Sequence, residues 1–340
     1  MAGRRAGIVD VASRAGVSAA TVSRSLRGLP NVADATRSKV LQAATDLSYV
    51  ASPAASRLAS GRTGAIGVVV PHVARWFFSQ AVAGAERILR EAGYDVLLYN
   101  LGGRDGRERF LEQLPLRRRV DAVLLLTLPL DDKEAERLQE LGVPVVTVGT
   151  RSSRFPAVRI DDIDAVRTAV RHLRGLGHEA ITMVVGPDED LDFVAMLERR
   201  RGFLLEPTGT SSRLEVVVAQ SPGLEGGAQA ASTILAGARW PTAIVAEYDE
   251  IAFGALRTFR RAGIDVPGQI SVIGVDDHEM ASVVDLTTVS QPVREQGESA
   301  AALLLEALSR GSQEPSDLVL PTHLVVRSTT APPCRPGRGS

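Results

Sequence analysis

Residues 8–28 of this 340-residue chain read IVDVASRAGVSAATVSRSLRG. Ile8, Val11, Ala12 and Ala15 fall at i, i+3, i+4 and i+7, one apolar face of a short helix. Gly16 stands where a helix end needs left-handed backbone, which glycine adopts without steric cost. Ser18 follows as an N-cap whose hydroxyl can satisfy an N–H at the start of a second helix. In that helix Val22 and Leu26 share a face and pack with Val17 onto the first, while Ala19, Ala20, Thr21, Ser23, Arg24 and Arg27 point elsewhere. Two short helices joined by a glycine-containing turn describe a helix-turn-helix, whose second helix enters the DNA major groove. On periodicity alone an ordinary helical hairpin at the start of an α/β enzyme fits equally well.

Charge separates the two readings. Met1 to Arg62 holds nine Lys and Arg against three Asp, a net +6, whereas the whole chain stands at −1. A basic head on an acidic body points to a polyanionic partner, and each neutralised phosphate adds a salt-dependent term to affinity. Double-stranded DNA is the favoured partner.

Asp10-Val11-Ala12, Ala15-Gly16-Val17-Ser18 and Thr21-Val22-Ser23-Arg24 resemble the headpiece signature of the LacI/GalR family of bacterial transcription regulators. The resemblance implies that Ser18, Ala19, Ala20, Thr21, Ser23, Arg24 and Arg27 face DNA. Ala19 and Ala20 stand where members place larger base readers, which shifts readout toward Thr21, Ser23 and Arg24 with methyl contacts to thymine. Gly7 replaces a common Thr N-cap. Asp34 is expected to cap a third helix to about Leu47, with Val40, Ala44 and Leu47 as its apolar stripe.

Residues 51–63 contain Pro53 and Gly61 bracketing about two helical turns. Alone such a segment is a linker, since helices this short are marginal in water. The resemblance implies a hinge helix that folds on DNA, with Leu58 inserting between base steps of the minor groove.

From Ala65 onward strand and helix patterns alternate. Strands are expected at Ile66–Val70, Val96–Tyr99, Ala122–Leu126, Val143–Val148, Ile181–Val185, Leu214–Val218, Ala243–Ala246 and Ile270–Gly274. Helices lie between them at Ala81–Glu91, Lys133–Glu140, Val166–Leu173, Gly226–Leu235 and Ile251–Arg261. This predicts an all-α headpiece (1–50), the hinge (51–63) and an α/β core (64–330) of two doubly wound, parallel-sheet subdomains facing a cleft. Strings such as Gly142-Val143-Pro144-Val145-Val146, Arg199-Arg200-Arg201-Gly202-Phe203 and Leu286-Thr287-Thr288-Val289 extend the resemblance to the family's core, built like periplasmic sugar-binding proteins. The subdomains are expected at about 64–160 plus 291–320 and 161–290 plus 321–330, with a disordered tail over 331–340.

Ligands of open α/β sheets bind beyond the C-terminal strand ends, which here include Phe77, Phe78, Asn100, Thr127, Gly149, Tyr248 and Asp276. The resemblance implies that Phe77 or Phe78 stacks on a ring-shaped effector, that Arg199 clamps a hydroxyl or carboxylate, and that Asp276 accepts hydrogen bonds from effector hydroxyls. A local ion pair or cap is the alternative use of Arg199 and Asp276. Tyr248 replaces a common Asn, Gly149 a common Asp, and Pro222 a stacking aromatic. A sugar is the first expectation for the effector, and a larger, less hydroxylated molecule stays open.

No nucleophile elbow, P-loop or dinucleotide fingerprint is present. His172 and His178 are six apart, and His72, His278 and His323 are scattered, so no metal site or cofactor is expected. The acid pairs 131–132, 161–162 and 276–277 read as turns and caps. Cys334 is the sole cysteine, no apolar run reaches membrane-spanning length, and no signal-peptide pattern opens the chain. The expectation is a cytoplasmic, homodimeric repressor with no enzymatic activity. A ligand carrier with a dimerising head and an α/β enzyme fused to a DNA-binding head are the rivals.

Overall fold

The computed structural model describes residues 6–26, 30–49, 62–187, 193–206 and 213–334, and the chain divides into two units, Met1–Gly64 and Ala65–Ser340. In the first unit, α1 (Ile8–Ala15), α2 (Ala19–Leu26) and α3 (Asp34–Asp46) enclose Val11, Ala12, Val22, Val40, Ala43 and Ala44. The Gly7 N–H donates to the Asp10 carboxylate at 2.8 Å, and Gly16 closes α1 at φ 67°, ψ 36°. Ser18 Oγ accepts the Thr21 N–H at 3.1 Å, as a cap on α2 requires. An ion pair of 3.1 Å joins Arg14 on α1 to Asp46 on α3.

Two details of this head differ from the sequence reading. Asp34 is the first residue of α3 rather than its cap; Ala33 holds the cap position and no side chain bonds there. The Asp34 carboxylate can then act only on the helix dipole. Ala19 packs against the head core, because it lies three residues before Val22 and seven before Leu26 on one face.

The second unit holds two six-stranded sheets. The first uses β1 (Ala65–Val70), β2 (Asp95–Asn100), β3 (Ala122–Leu126), β4 (Val145–Val148), β5 (Ala157–Arg159) and β11 (Asp317–Val319), ordered β11-β5-β4-β3-β1-β2 and parallel throughout. The second uses β6 (Ala180–Val185), β7 (Arg213–Val218), β8 (Ala243–Ala246), β9 (Ser271–Asp276), β10 (Thr287–Ser290) and β12 (His323–Val325), ordered β12-β10-β9-β8-β6-β7. Only β12 runs antiparallel to its neighbour. Strands β1, β3, β8 and β9 are buried along their whole length, the mark of a sheet covered on both faces, whereas the edge strands β2 and β7 have no buried residue.

Helices α4 (Trp76–Glu91) and α12 (Val293–Arg310) cover one face of the first sheet through Phe78, Ala81, Ala85, Leu89, Ala300 and Leu304. Helices α5 (Arg104–Gln113) and α6 (Asp132–Gln139) cover the other through Phe110, Leu111 and Leu138. On the second sheet, α7 (Asp162–Gly175) and α8 (Val194–Leu204) face α9 (Gly223–Ala236) and α10 (Asp249–Arg261) across the strands. A short α11 (Glu279–Val283) follows β9. Helices α4 and α12 touch backbone to backbone: a Cβ on Gly84 would lie 2.2 Å from the Arg294 carbonyl oxygen, and one on Gly297 2.0 Å from that of Ala81. Only glycine permits this approach.

The chain passes between the halves three times, after β5, after β10 and after β11. All eight strands expected from sequence exist, together with β10 and the three-residue β5, β11 and β12. Ala331, read from the sequence as the first residue of a disordered tail, donates its N–H to Ser271 Oγ at 3.1 Å. Its carbonyl accepts from His178 Nε2 at 2.8 Å, so it belongs to the core.

Candidate functional site

In the head, α2 leaves Ala20 and Arg24 exposed, with Thr21 and Ser23 half-buried and Ser18 exposed at the cap. Arg24 Nε donates to the Ala20 carbonyl at 3.3 Å, a weak contact that keeps the guanidinium at the surface. The buried Ser25 hydroxyl donates to the Thr21 carbonyl at 2.8 Å, which lets a polar residue sit on the inner face. Arg27 and Leu58, both expected at DNA, lie outside the described residues.

In the core, a cleft opens at the C-terminal ends of the strands and contains about 640 Å³ of empty space counted to its open mouth. Thr127 follows β3, Gly149 follows β4, Tyr248 precedes α10 and Asp276 ends β9. The first turn of α4 contributes Phe77 and Phe78, with Arg75 just ahead of it. Asp162 opens α7, α8 brings Met196 and Arg199, and Phe193 precedes that helix. Gln291 and Gln296 complete the lining from the second crossing and α12. Backbone strain gathers here: Thr127 (φ 47°), Asp276 (φ 129°) and Asp277 (φ 56°) all hold left-handed or adjoining conformations that side chains disfavour.

Arg199 is buried and its donors are directed inward. Nε donates to Asp162 Oδ1 at 2.7 Å, Nη1 donates to the Glu247 carbonyl at 2.7 Å, and Nη1 lies 3.7 Å from Asp276 Oδ1. Burial works against its charge, but Asp162 and Asp276 outweigh it and raise its pKa. Burial pushes Asp276 up to about 7, against the pull of Arg199 and of the Gln291 amide that donates to its Oδ1 at 2.6 Å. Asp162 is likewise raised by burial with Arg199 opposing. Asp249 rises well above the ordinary carboxyl range, chiefly by burial and then by Asp276; Thr288 Oγ1 donates to it at 2.7 Å and the His278 N–H at 2.9 Å. Tyr248 is pushed to about 12 by burial, and its hydroxyl oxygen accepts the Gly223 N–H at 3.0 Å.

Of the residues expected around an effector, Phe77, Phe78, Thr127, Arg199, Tyr248 and Asp276 line this one cleft. Phe78 also packs in the core of the first sheet and 6.3 Å from Phe193, so Phe77 is the more available ring. Asn100 does not line the cleft. Its Oδ1 accepts the Val73 N–H at 3.0 Å and pins the loop leading into α4. The acid pair 161–162 splits: Asp161 caps α7 through the Asp164 N–H at 2.9 Å, while Asp162 turns inward to Arg199. At 276–277, Asp277 instead pairs with Arg327 at 2.6 Å.

Sequence reasoning missed Asp162, Phe193, Met196, Glu250, Gln291 and Gln296 in the lining. The apolar character of Phe193 and Met196 reads as core, and Gln296 sits in a helix rich in small residues with no motif around it. Among the described residues, no group of three or more His, Cys, Asp or Glu is placed to hold a metal ion, and no helix is long and apolar enough to cross a membrane.

The sequence model of bacterial regulatory proteins of the lacI family matches residues 7–52, and a periplasmic binding protein-like domain matches residues 170–330. An uncharacterized HTH-type transcriptional regulator in the aml 5' region of Streptomyces limosus is 36% identical over 339 residues, covering 95% of this chain and 94% of the relative. The crystal structure of the Lac repressor dimer bound to operator and the anti-inducer ONPF is similar with a TM-score of 0.84 at 29% identity, covering 96% of this chain and 100% of that one. The complex of the transcriptional regulator CelR with cellobiose is similar with a TM-score of 0.66 at 31% identity, over the same shares of the two chains. The head motif, the two-sheet core and a likeness running nearly end to end agree: this chain belongs to the lacI family of bacterial regulatory proteins.

Proposed function

We propose that this chain is a transcription repressor that binds a palindromic operator as a homodimer, its DNA affinity set by a small, sugar-like molecule in the cleft. The observation that carries the reading is α2, which leaves Ala20 and Arg24 exposed in a head of net charge +6. In this reading Thr21, Ser23, Arg24 and Arg27 meet base edges or phosphates, and Leu58 wedges the minor groove at the hinge over residues 51–63. Phe77, Arg199 and Asp276 hold the effector between the halves, taken as subdomains of about 64–160 plus 291–320 and 161–290 plus 321–330. The effector shifts DNA binding only as far as it prefers one arrangement of those halves over the other, and the coupling is reciprocal. The protein works in the cytoplasm and turns over no substrate.

Selection of bound duplexes from random DNA, followed by gel shifts across a salt series, tests the reading. The expected result is a palindromic site whose affinity falls steeply with salt and changes with cellobiose or another cleft ligand. Failure to bind any duplex at low ionic strength overturns it.

A further inference from the structure

The turn from Leu114 to Val120, LPLRRRV, carries three arginines and no acid. It belongs to an acidic body: residues 63–340 hold a net −7, the difference between −1 for the whole chain and +6 for the head. Arg117, Arg118 and Arg119 are all exposed, and none has a carboxylate partner among the described residues. The turn itself is firmly seated. Leu114, Leu116 and Val120 are buried, and the N–H groups of Arg117 and Arg119 donate to the carbonyls of Leu114 and Leu116 at 3.0 and 2.9 Å. A Cβ on Gly67 of β1 would lie 2.5 Å from Leu116 Cδ2, so the turn rests directly on that strand. Arg118 holds φ 59°, a left-handed conformation that glycine adopts freely and arginine does not. The turn also lies where the core begins. The Asp121 N–H donates to the Ala65 carbonyl at 2.8 Å, and Ala65 is the first residue of the second unit. This is the N-terminal end of β1 and β3, the end of the first sheet remote from the cleft.

We infer that Arg117, Arg118 and Arg119 form a second DNA contact, in which the core itself binds backbone phosphates of the duplex without reading its sequence. This rests on the reading above that the head and hinge engage an operator. In that reading Leu58 sits in the minor groove, and seven residues carry the chain from there to Ala65, a span of at most about 25 Å. The turn is therefore tethered within reach of the phosphates that border this groove. A guanidinium presents its N–H donors in a fixed fork that matches a phosphate, and it stays charged at every working pH. Held on a buried apolar base, the turn has no flexible backbone to order when it binds. Such contacts add salt-dependent affinity and fix register but carry no base information. An acidic protein surface is the competing occupant, and the place of the turn beside the junction with a DNA-binding head favours phosphate.

The test is gel-shift titration of the full-length protein on its selected operator across a KCl series. Wild type is compared with a variant combining Arg117→Gln, Arg118→Gln and Arg119→Gln, and with the same three positions changed to Lys. The glutamine variant is expected to bind about tenfold or more weaker at the low-salt end. It should also lower the slope of log K against log[salt] by about two units or more, at least one phosphate for each subunit. Its melting temperature and its preference at every base position should not move. The lysine variant should keep most of the slope. Replacing the phosphates beside the central minor groove with uncharged methylphosphonates should weaken wild type more than the glutamine variant. If the triple variant does not fold, Arg117→Gln with Arg119→Gln, which leaves Arg118 in place, is read by the same criteria. An unchanged slope overturns the inference and leaves an acidic protein surface as the occupant. A lysine variant as weak as the glutamine one overturns it too, as does equal weakening of both proteins by methylphosphonate. Failure of wild type to bind any duplex overturns the repressor reading and this inference together, whereas wild-type binding with an unchanged slope in the variant overturns the inference alone.

Discussion

Arg199 and Asp162 meet at 2.7 Å with both side chains buried, so that α8 and α7 are joined by a charge pair inside the cleft floor. A buried pair is costly to break because the survivor keeps its desolvation penalty. Arg199→Met leaves Asp162 and Asp276 without their cation and is expected to lower unfolding free energy by about 3–5 kcal/mol. Urea unfolding of the intact protein checks this. Adding Asp162→Asn should recover part of the loss, and a single-variant loss below about 1 kcal/mol would contradict the arrangement.

Asp276 gives the core a pH dependence of definite sign. Its folded pKa of about 7 lies above that of an unfolded carboxyl, so the folded state holds a proton that the unfolded chain releases. The resulting stability is present in acid and is lost as pH rises through about 7. The melting temperature of the ligand-free protein is therefore expected to fall between pH 5 and 8. Asp276→Asn should flatten that slope without abolishing it, because Asp162 and Asp249 are shifted in the same direction. An identical slope in the variant would remove Asp276 as its source.

Gly149 is needed where it stands. Its φ is +72°, and a Cβ there would lie 2.6 Å from Thr127 Cγ2. Gly149→Asp, which puts back the residue common at this position in the family, is expected to cost about 1–3 kcal/mol and to open no new sugar contact. Thermal melts with and without cellobiose read both parts. A fully stable variant would show that the loop accommodates a side chain.

Ser18 supports the start of α2 through the Thr21 N–H. Ser18→Ala is expected to destabilise the head by about 1 kcal/mol, visible as faster amide exchange in the first turn of α2. Unchanged exchange at Thr21 and Val22 would mean that the cap is dispensable.

Arg24 makes only a surface contact to the Ala20 carbonyl, so its removal should spare the fold. Arg24→Ala is expected to cost about 1–3 kcal/mol at one base position of the selected operator, with the melting curve unmoved. A uniform loss across all sequences would assign Arg24 to phosphate contact instead.

The two-sheet architecture was legible because Ile66–Val70, Ala122–Leu126 and Ala243–Ala246 are continuous apolar runs, as strands buried on both faces must be. Strands of three residues such as β5, β11 and β12 are too short to show a period, and their pairing is decided by neighbours distant in sequence. Helix α12 escaped notice because its small residues, Gly297 and Ala300 among them, suit contact with α4 rather than an amphipathic stripe. Arg199 and Asp276 could be named from their motif strings. Gln296 could not, since its place in the lining comes from two hydrogen bonds running back through Gln291 to Asp276. Asn100 misled for a related reason: a strand end on the sheet edge shares the position of a ligand residue but not its neighbours.

The discontinuous build of the core bears on its synthesis. The apolar face of α4, with Ala81, Ala85 and Leu89, is closed by α12, which begins only at Val293. A ribosome must therefore translate five of the six strands of the second sheet before the first can be sealed. The nascent first half carries an uncovered greasy flank throughout elongation, a natural target for holdase chaperones and a reason for a gene truncated near its three-quarter point to yield aggregates.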